Sequence, residues 1–591
     1  MRGKKGYFCK RSILTVFTSC LMLSNVQAGT PLWTLTPQTP TDITVIKGKT
    51  EQVIYTVHNQ SSKPKTLLMK SINGITQNGP CHLTPKGTCT LSLDINGSVI
   101  TGDVFGGPVL CQQGNLNQCY QPSAKDSLHI KLTQKSPVTL YTAFGLYSSS
   151  DGLSYPMLAQ STDGGSHWFY KLDSATTSPM EFIDEPIIAS TSCSESICVA
   201  VGDSIADNII YPMLVQSTDG GSNWSYKLNN TSTLPTNFSD YGQFFGSSCS
   251  GSMCTAAGGY LSTDGAIYPL LTQSIDGGSH WFYKLDSTSA PTNHTFGGFY
   301  STSCSGSICT AVGAYTATDG STYSLLAQST DGGAHWSYKL DSTAVLPTAF
   351  SNNGQFVSTS CSGSTCTAVG SYRATDGNTY SMLAQSTDGG ALWSYKLDSA
   401  TVLPTGFSNN GQFASASCSG STCTAVGSYR ATDGKTYSML AQSTDGGAHW
   451  SYKLDSATVL PTGFSNNGQF ASTSCSGSTC TAVGSYRATD GNTYSMLAQS
   501  TDGGTHWSYK LDSATVLPMG FSNNGQFAST NCSGSTYTAV GSYTATDGST
   551  YPMLAQSTDG GNHWSYKLDN ATTLPGDFNG TGTFLSTASS K

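Results

Sequence analysis

The sequence predicts an all-β chain, a short β-sandwich followed by an eight-bladed β-propeller with four-stranded blades. Three observations predict it. A segment beginning near Thr139 recurs eight times, with the Asp of its "DGG" at 163, 219, 276, 331, 388, 445, 502 and 559, in steps of 55 to 57 residues. Each recurrence holds four strand-like runs separated by Gly-bearing turns. The first recurrence lacks its opening strand, and a matching strand stands alone at the end of the chain.

At 591 residues the chain exceeds one ordinary domain. Charged residues are only 10% and glycines number 64, a composition suited to a turn-rich extracellular β protein. The net charge is -8 with no basic run, which excludes the electrostatic footprint of a nucleic-acid binder. Arg2, Lys4, Lys5, Lys10 and Arg11 precede the apolar run "SILTVFTSCLML", and "VQA" ends at Ala28, so residues 1–28 read as an export signal. A lipoprotein signal at Cys20 is opposed by Phe17 and by apolar residues continuing past the cysteine. No later run approaches the roughly 20 apolar residues of a membrane helix. The expected location is the periplasm, the cell surface or the medium.

Residues 29–134 do not repeat. Alternating runs such as "EQVIYTVHNQ" and "TCTLSLDI", bounded by Gly, Pro and Asn, predict the sandwich. This segment resembles the Ig-like domains that precede repeat regions in bacterial exported proteins. The propeller is expected over 139–591. In the copy starting at Gln355 the four strands read "QFVSTSC", "CTAVGSYRA", "YSMLAQST" and "LWSYKLDS", joined by "SGST", "TDGNT" and "DGGA". The terminal "GTFLSTASS" matches the strand missing from the first copy, so pairing the two ends closes the ring. Ser589 and Tyr141 then stand at the two cysteine positions of the composite blade. Seven blades plus an accessory unit is the alternative.

Apart from Cys9 and Cys20, seventeen cysteines remain, and in an exported chain disulfides are the default. Cys81/Cys89 and Cys111/Cys119 would staple the sandwich. Six C-x4-C pairs follow: Cys193/Cys198, Cys249/Cys254, Cys304/Cys309, Cys361/Cys366, Cys418/Cys423 and Cys475/Cys480. Each brackets the turn between first and second strands, where two sulfurs can meet across a hairpin, and each closed loop contributes about 2 kcal/mol. A zinc site would need four clustered ligands, which no copy supplies. Cys532 is single because Tyr537 holds its partner's position, leaving a free thiol or an intermolecular link.

Ser161-x-Asp163-x-Gly165-x-x-Trp168 recurs as Asp219/Trp224, Asp276/Trp281, Asp331/Trp336, Asp388/Trp393, Asp445/Trp450, Asp502/Trp507 and Asp559/Trp564. This pattern resembles the Asp-box, or BNR repeat, of the sialidase-type propellers. The resemblance implies a hairpin between third and fourth strands, structural in role and remote from any active site. Physically, the Asp side chain is expected to bond amides two residues on, the Gly to take positive φ, and the Trp to bury its ring under the turn. His167, His280, His335, His449, His506 and His563 precede the box tryptophans. Equivalent positions on separate blades lie far apart, so these are expected to be exposed turn residues, and neither metal nor cofactor is predicted.

The long connection "DSATVLPTGFSNNG" and the "RATDGNT" turn share the face opposite the boxes. That face holds Arg373, Arg430 and Arg487, the only arginines beyond the signal, with Asn352, Asn353, Asn409, Asn410, Asn466, Asn467, Asn523 and Asn524 as further candidate contacts. A sialidase of the resembled type would need three arginines at non-equivalent positions, a Tyr nucleophile polarised by Glu, and an acid/base Asp. Here the arginines share one register, "FRIP" is absent and no Glu follows Glu195. Nearly identical copies suit multivalent binding. One divergent copy carries Glu181, Asp184 and Glu185, then Asp203 and Asp207, carboxylates suited to acid/base work or a cation. The expectation is therefore a monomeric, non-catalytic exported protein binding a glycan or protein partner through the long-loop face. A glycoside hydrolase centred on the acidic copy is the alternative. An assembly or scaffold factor is the third reading, since the propellers of photosystem assembly factors are built from related repeats.

Overall fold

The computed structural model describes residues 30–46, 50–133, 140–172, 184–221, 223–228, 234–291, 294–341, 344–572 and 574–590. They fall into two compact units, Met1–Ser136 and Pro137–Lys591. Among the described residues there is no α-helix, only strands and two short 3-10 turns.

In the first unit, strands Trp33–Pro37, Thr50–Asn59, Thr88–Asn96 and Ile75–Gln77 form one antiparallel sheet. Two smaller sheets complete it, one pairing Asp42–Ile46 in parallel with His129–Thr133. The alternation read from "EQVIYTVHN" is realised: Val53, Tyr55 and Val57 point into a core shared with Trp33, Leu91 and Leu93. Disulfides join Cys81 to Cys89 and Cys111 to Cys119.

The second unit is a succession of four-stranded blades, each named here by its box aspartate. In the Asp388 blade the strands are Phe350–Ser362, Thr365–Ala374, Thr379–Ser386 and Ser394–Leu397, antiparallel and in chain order across the sheet. The second and third strands are buried on both faces, which is why "CTAVGSY" and "SMLAQS" lack clean alternation. Val369, Leu383 and Leu397 of this blade pack on Phe413, Ala425 and Tyr429 of the next. Likewise Val540, Leu554 and Leu568 pack on Ala143, Tyr147 and Met157. Phe578–Ser589 pairs antiparallel with Tyr141–Ser149, and Tyr141 stands opposite Ser589 as Cys366 stands opposite Cys361.

The first strand begins at Phe350, not at Gln355 as the sequence suggests, because "SNNG" is an irregular piece of strand and not loop. Asn352 Oδ1 accepts from the amides of Thr322 in the preceding blade (2.7 Å) and Asn353 (2.6 Å), and Asn353 adopts φ 53°. A second irregularity falls between Phe356 and Ser358. There a Cβ on Gly370 would meet Gln355 O at 1.8 Å, so only glycine fits.

First strands of successive blades also touch each other, and serine hydroxyls form the seam. The amides of Cys418 and Gly420 donate to Ser360 Oγ (2.9 Å) and Ser362 Oγ (3.0 Å) one blade earlier. The pattern recurs at Cys361 with Ser303, at Cys475 with Ser417, and at Thr191 with Ser586. Strand-edge amides that would otherwise be unpaired are thereby satisfied by side chains. A ladder of rings accompanies the seam: Tyr380, Phe407, Tyr429, Tyr437 and Phe464 follow one another at centroid spacings of 5.0, 6.3, 6.1 and 5.0 Å.

Candidate functional site

The hairpins divide between two faces. Gly389 N donates to Ser364 O (2.9 Å), placing the C-x4-C turn beside the box turn. Thr375 N donates to Ala349 O (2.9 Å), placing the Asp-Gly turn between second and third strands beside the long connection.

On the box face, Ser161 Oγ donates to Asp163 Oδ1 (2.8 Å) and accepts from Gly165 N (2.9 Å). The expected bond to an amide two residues on is corrected: Asp163 Oδ1 accepts from the amide of His167 (3.0 Å), four residues on. His167 Nδ1 lies 2.6 Å from Asp163 Oδ2. The His167 amide bond, then the imidazole and Ser161, hold the Asp163 carboxyl down to about 2. Asp276, Asp331, Asp445, Asp502 and Asp559 accept in the same way from the amides of their own histidines. Asn223 takes the histidine's place at Asp219, whereas at Asp388 Leu392 keeps only the amide bond. The amide bond is thus the common element, and the histidines are exposed turn residues anchored by their aspartates.

The expectation that each tryptophan lies under its own turn is also corrected, because the indoles reach across to the preceding blade. Trp281 Nε1 donates to Gln216 Oε1 (3.2 Å), Trp336 to Gln273 (3.3 Å) and Trp393 to Gln328 (2.9 Å). Trp450 donates to Gln385 (3.1 Å), Trp507 to Gln442 (3.0 Å) and Trp564 to Gln499 (3.5 Å). The same glutamine holds the box turn itself: Gln385 Nε2 donates to Gly446 O (3.4 Å). Trp224 crosses without the bond. Its ring meets Phe144 of the preceding blade edge-on at 5.2 Å, while its Nε1 and Gln160 Oε1, the equivalent acceptor, are buried and unpartnered. The box is therefore a clasp between neighbours, and its indoles are half-buried at blade junctions because that is where the glutamines stand.

In six blades a disulfide closes the first hairpin beside the box turn, joining Cys193 to Cys198, Cys249 to Cys254, Cys304 to Cys309, Cys361 to Cys366, Cys418 to Cys423 and Cys475 to Cys480. In every one the Cα atoms are 4.1 Å apart. These bridges are less superficial than a turn-bracketing position suggests. Cys198, Cys254, Cys309, Cys366, Cys423 and Cys480 are fully buried, because the second strand that they open is covered on both faces.

On the long-connection face, Arg373, Arg430 and Arg487 are exposed, one per blade, each opposite an asparagine of the first strand: Asn352, Asn409 and Asn466. Among the described residues the ion pairs are those of box histidines with box aspartates, and no arginine takes part. Asn352, Asn409, Asn466 and Asn523 spend their Oδ1 on backbone amides of the preceding blade. Asn353, Asn410, Asn467 and Asn524 occupy positive φ. Exposed valines, Val402, Val459 and Val516, recur along the same connections.

An aspartate unremarked in the sequence organises the connections of the near-identical blades. Asp398 is buried; its Oδ1 accepts from Ala400 N (3.0 Å), and its Oδ2 accepts from Thr348 N (3.0 Å) and Thr348 Oγ1 (2.6 Å) of the previous connection. Tyr372 adds a second tie, donating its hydroxyl to Thr348 O (2.8 Å). Asp455 and Asp512 repeat the arrangement. The signal for these was the fixed spacing of "LPT" to the next "LDS", about one repeat apart in sequence.

Of the acidic group, Glu181 lies outside the described residues. Asp184 opens the strand Asp184–Ser194, opposite Ile205, and the side chains of Asp184 and Glu185 are likewise outside what is described. Asp207 is an exposed turn residue at φ 53°. Asp203 is half-buried opposite Ile187 and Pro212, and burial pushes its carboxyl up to about 6. The Asp203 charge acts on Tyr241, whose hydroxyl bonds Gln243.

Cys532 is buried, with its sulfur 3.2 Å from Thr481 Oγ1 and 3.3 Å from Ser474 O. Burial pushes the thiol up to about 12. The intermolecular link considered from sequence is thereby corrected: this sulfur faces the neighbouring blade, not solvent. Among the described residues no three His, Cys, Asp or Glu side chains gather as a metal site.

No protein-family model matches the chain, and no curated protein matches it. Several solved structures are similar. A Hadza microbial sialidase aligns over 70% of this chain and 98% of its own, at 10% identity and TM-score 0.30. The β-propeller domain of the Trilobed protease from Pyrococcus furiosus aligns over 65% and 99%, at 8% identity and TM-score 0.36. A fucose-specific lectin from Aleuria aurantia aligns over 56% and 96%, at 13% identity and TM-score 0.28.

Proposed function

We propose that the protein is an exported, non-catalytic propeller that binds a glycan or protein partner on its long-connection face. Eight blades form its ring, closed by the C-terminal strand. An unbroken succession of blade interfaces supports that count, from Phe144 and Leu158 packed on Ala200 and Met213 round to Leu554 and Leu568 packed on Met157. The signal-like 1–28 and the disulfides support export.

The observation that carries the binding reading is the array of Arg373, Arg430 and Arg487: exposed, in one register on consecutive blades, and engaged in no ion pair. Three identical cations at a regular spacing fit a ligand whose acceptor groups also repeat. The test is binding to an array of immobilised anionic and neutral glycans, compared with the variant Arg373→Ala/Arg430→Ala/Arg487→Ala. A loss of at least about tenfold is expected. Anionic-glycan binding left undiminished by the triple substitution refutes this face, and an array without anionic hits leaves a protein partner.

A glycoside hydrolase is favoured by one observation, the half-buried Asp203 carboxyl raised to about 6, within the range of a general acid. Turnover of fluorogenic glycosides that disappears in Asp203→Asn would establish it.

A further inference from the structure

Six of the eight box tryptophans are followed by serine, at 225, 337, 394, 451, 508 and 565, and two by phenylalanine, Phe169 and Phe282. This position opens the fourth strand, the outer edge of the blade. Both rings stand in water, Phe169 61% and Phe282 58% exposed. A phenyl ring where serine suffices adds nothing to the blade core, and at Phe169 it borders a cavity.

Phe169 lines a cavity of about 610 Å³ between the Asp163 and Asp559 blades, together with His167, Trp168, Tyr170, Lys567 and Thr572. His167 is held by its Nδ1 contact to Asp163, which leaves Nε2 as its outward polar atom. The Tyr170 hydroxyl is buried with no hydrogen-bond partner, as is that of Tyr338, whose preceding blade carries Pro269 in the same register. The equivalent Tyr395, Tyr452, Tyr509 and Tyr566 interact with Ser324, Ser381, Ser438 and Ser495 of the preceding blade. In the blade before Tyr170, Pro552 occupies that serine's register, opposite Ser542 as Ser381 is opposite Ser371. The junction thus differs from most of its siblings by an added aromatic face in a cavity.

The geometry points to a carbohydrate site in this groove, one that takes a pyranose ring. A pyranose has C–H faces that an aromatic ring can cover and hydroxyls around its rim. The walls supply the matching set: indole, phenyl and phenol faces, with an ammonium, an imidazole nitrogen and a threonine hydroxyl beside them. The volume lies within the range of small-molecule pockets and holds one or two sugar residues. Among the described residues no carboxylate lines it. The site is separate from the arginine face, and Phe282, beside His280 at a centroid distance of 6.5 Å, repeats the exposed ring on the Asp276 blade.

The experiment titrates the full exported chain with the methyl pyranosides of glucose, galactose, mannose, fucose and N-acetylglucosamine, followed by tryptophan fluorescence and calorimetry. Phe169→Ser is the decisive variant because six sibling blades carry that residue and fold. Saturable binding of at least one pyranoside is expected, weakened about tenfold or more in Phe169→Ser and abolished in Phe169→Ser/Phe282→Ser, with unchanged melting temperature. The arginine triple variant retains this binding, so the two faces are tested independently. Absence of saturable binding by every sugar overturns the proposal, as does undiminished affinity in the double variant. Binding of N-acetylphenylalanine amide in place of the sugars also overturns it, and assigns the groove to peptide.

Discussion

The indole Nε1 of Trp168 lies 3.5 Å from Oε1 of Gln556, a contact spanning 388 residues that joins the first box hairpin to the last blade. Its equivalents, Trp281 with Gln216 and Trp393 with Gln328, join consecutive blades. The repeated motif is therefore organised around its neighbour, and its glycine shows why. A Cβ on Gly165 would meet Gln556 Nε2 at 1.8 Å, and φ there is +91°.

The clasp is expected to be sensitive on both sides. Gln385→Ala removes the bonds to Trp450 and Gly446 and should cost about 1–2 kcal/mol. Gly447→Ala faces both positive φ and Gln385 and should cost more, about 1–3 kcal/mol for the backbone alone. Thermal melting of the two variants checks the order.

The serine seam predicts a penalty for a small, conservative change. Ser360→Ala leaves the Cys418 amide without its acceptor and should cost about 1–3 kcal/mol, although it deletes a single oxygen. Ser364→Ala, in the exposed turn beyond the seam, should be near neutral. Denaturant midpoints distinguish them.

His294 stands where other blades have Phe350 or Phe407, stacked on Tyr268 at 4.7 Å and Tyr315 at 6.2 Å, with neither ring nitrogen partnered. Burial lowers its folded-state value from 6.5 to about 4, against the opposing pull of Asp264. Between those values the unfolded chain binds a proton that the folded chain does not, so this group makes stability fall as pH drops from 6.5 towards 4. His294→Phe should flatten the fall of melting temperature over that window and leave stability above about pH 7 free of the acid-dependent part. Equal slopes for the two proteins would refute it.

Cys532 should resist modification. With its thiol pushed up to about 12 and its sulfur against Thr481, native protein freed of residues 1–28, which carry Cys9 and Cys20, should gain no mass from iodoacetamide at about pH 8, and the same protein denatured one adduct.

Local chemistry was legible in the sequence and long-range pairing was not. Asp-Gly turns and C-x4-C spacings act within a few residues, so they marked hairpins and strand order directly. Ser360, Gln385 and Asp398 act on residues one blade away, Cys418, Trp450 and Thr348, and each looks locally like an ordinary polar residue. "SNNG" read as a turn because asparagine and glycine usually mean one; here Asn352 and Asn353 build an irregular strand. The arginine register was visible at once. Phe169 and Phe282 emerge only when copies are compared with one another and with the exposure of the edge strand.

The serine seam and the tryptophan clasp both join a residue to one about a repeat further on, using the same donors and acceptors at most junctions. The near-identical blades therefore fit behind one another. A gene that gained or lost one unit by unequal crossing-over between its near-identical segments would still encode complementary surfaces at every junction. Copy number in this architecture is limited by the wedge angle each blade subtends, and the recognition chemistry between blades places no limit on it.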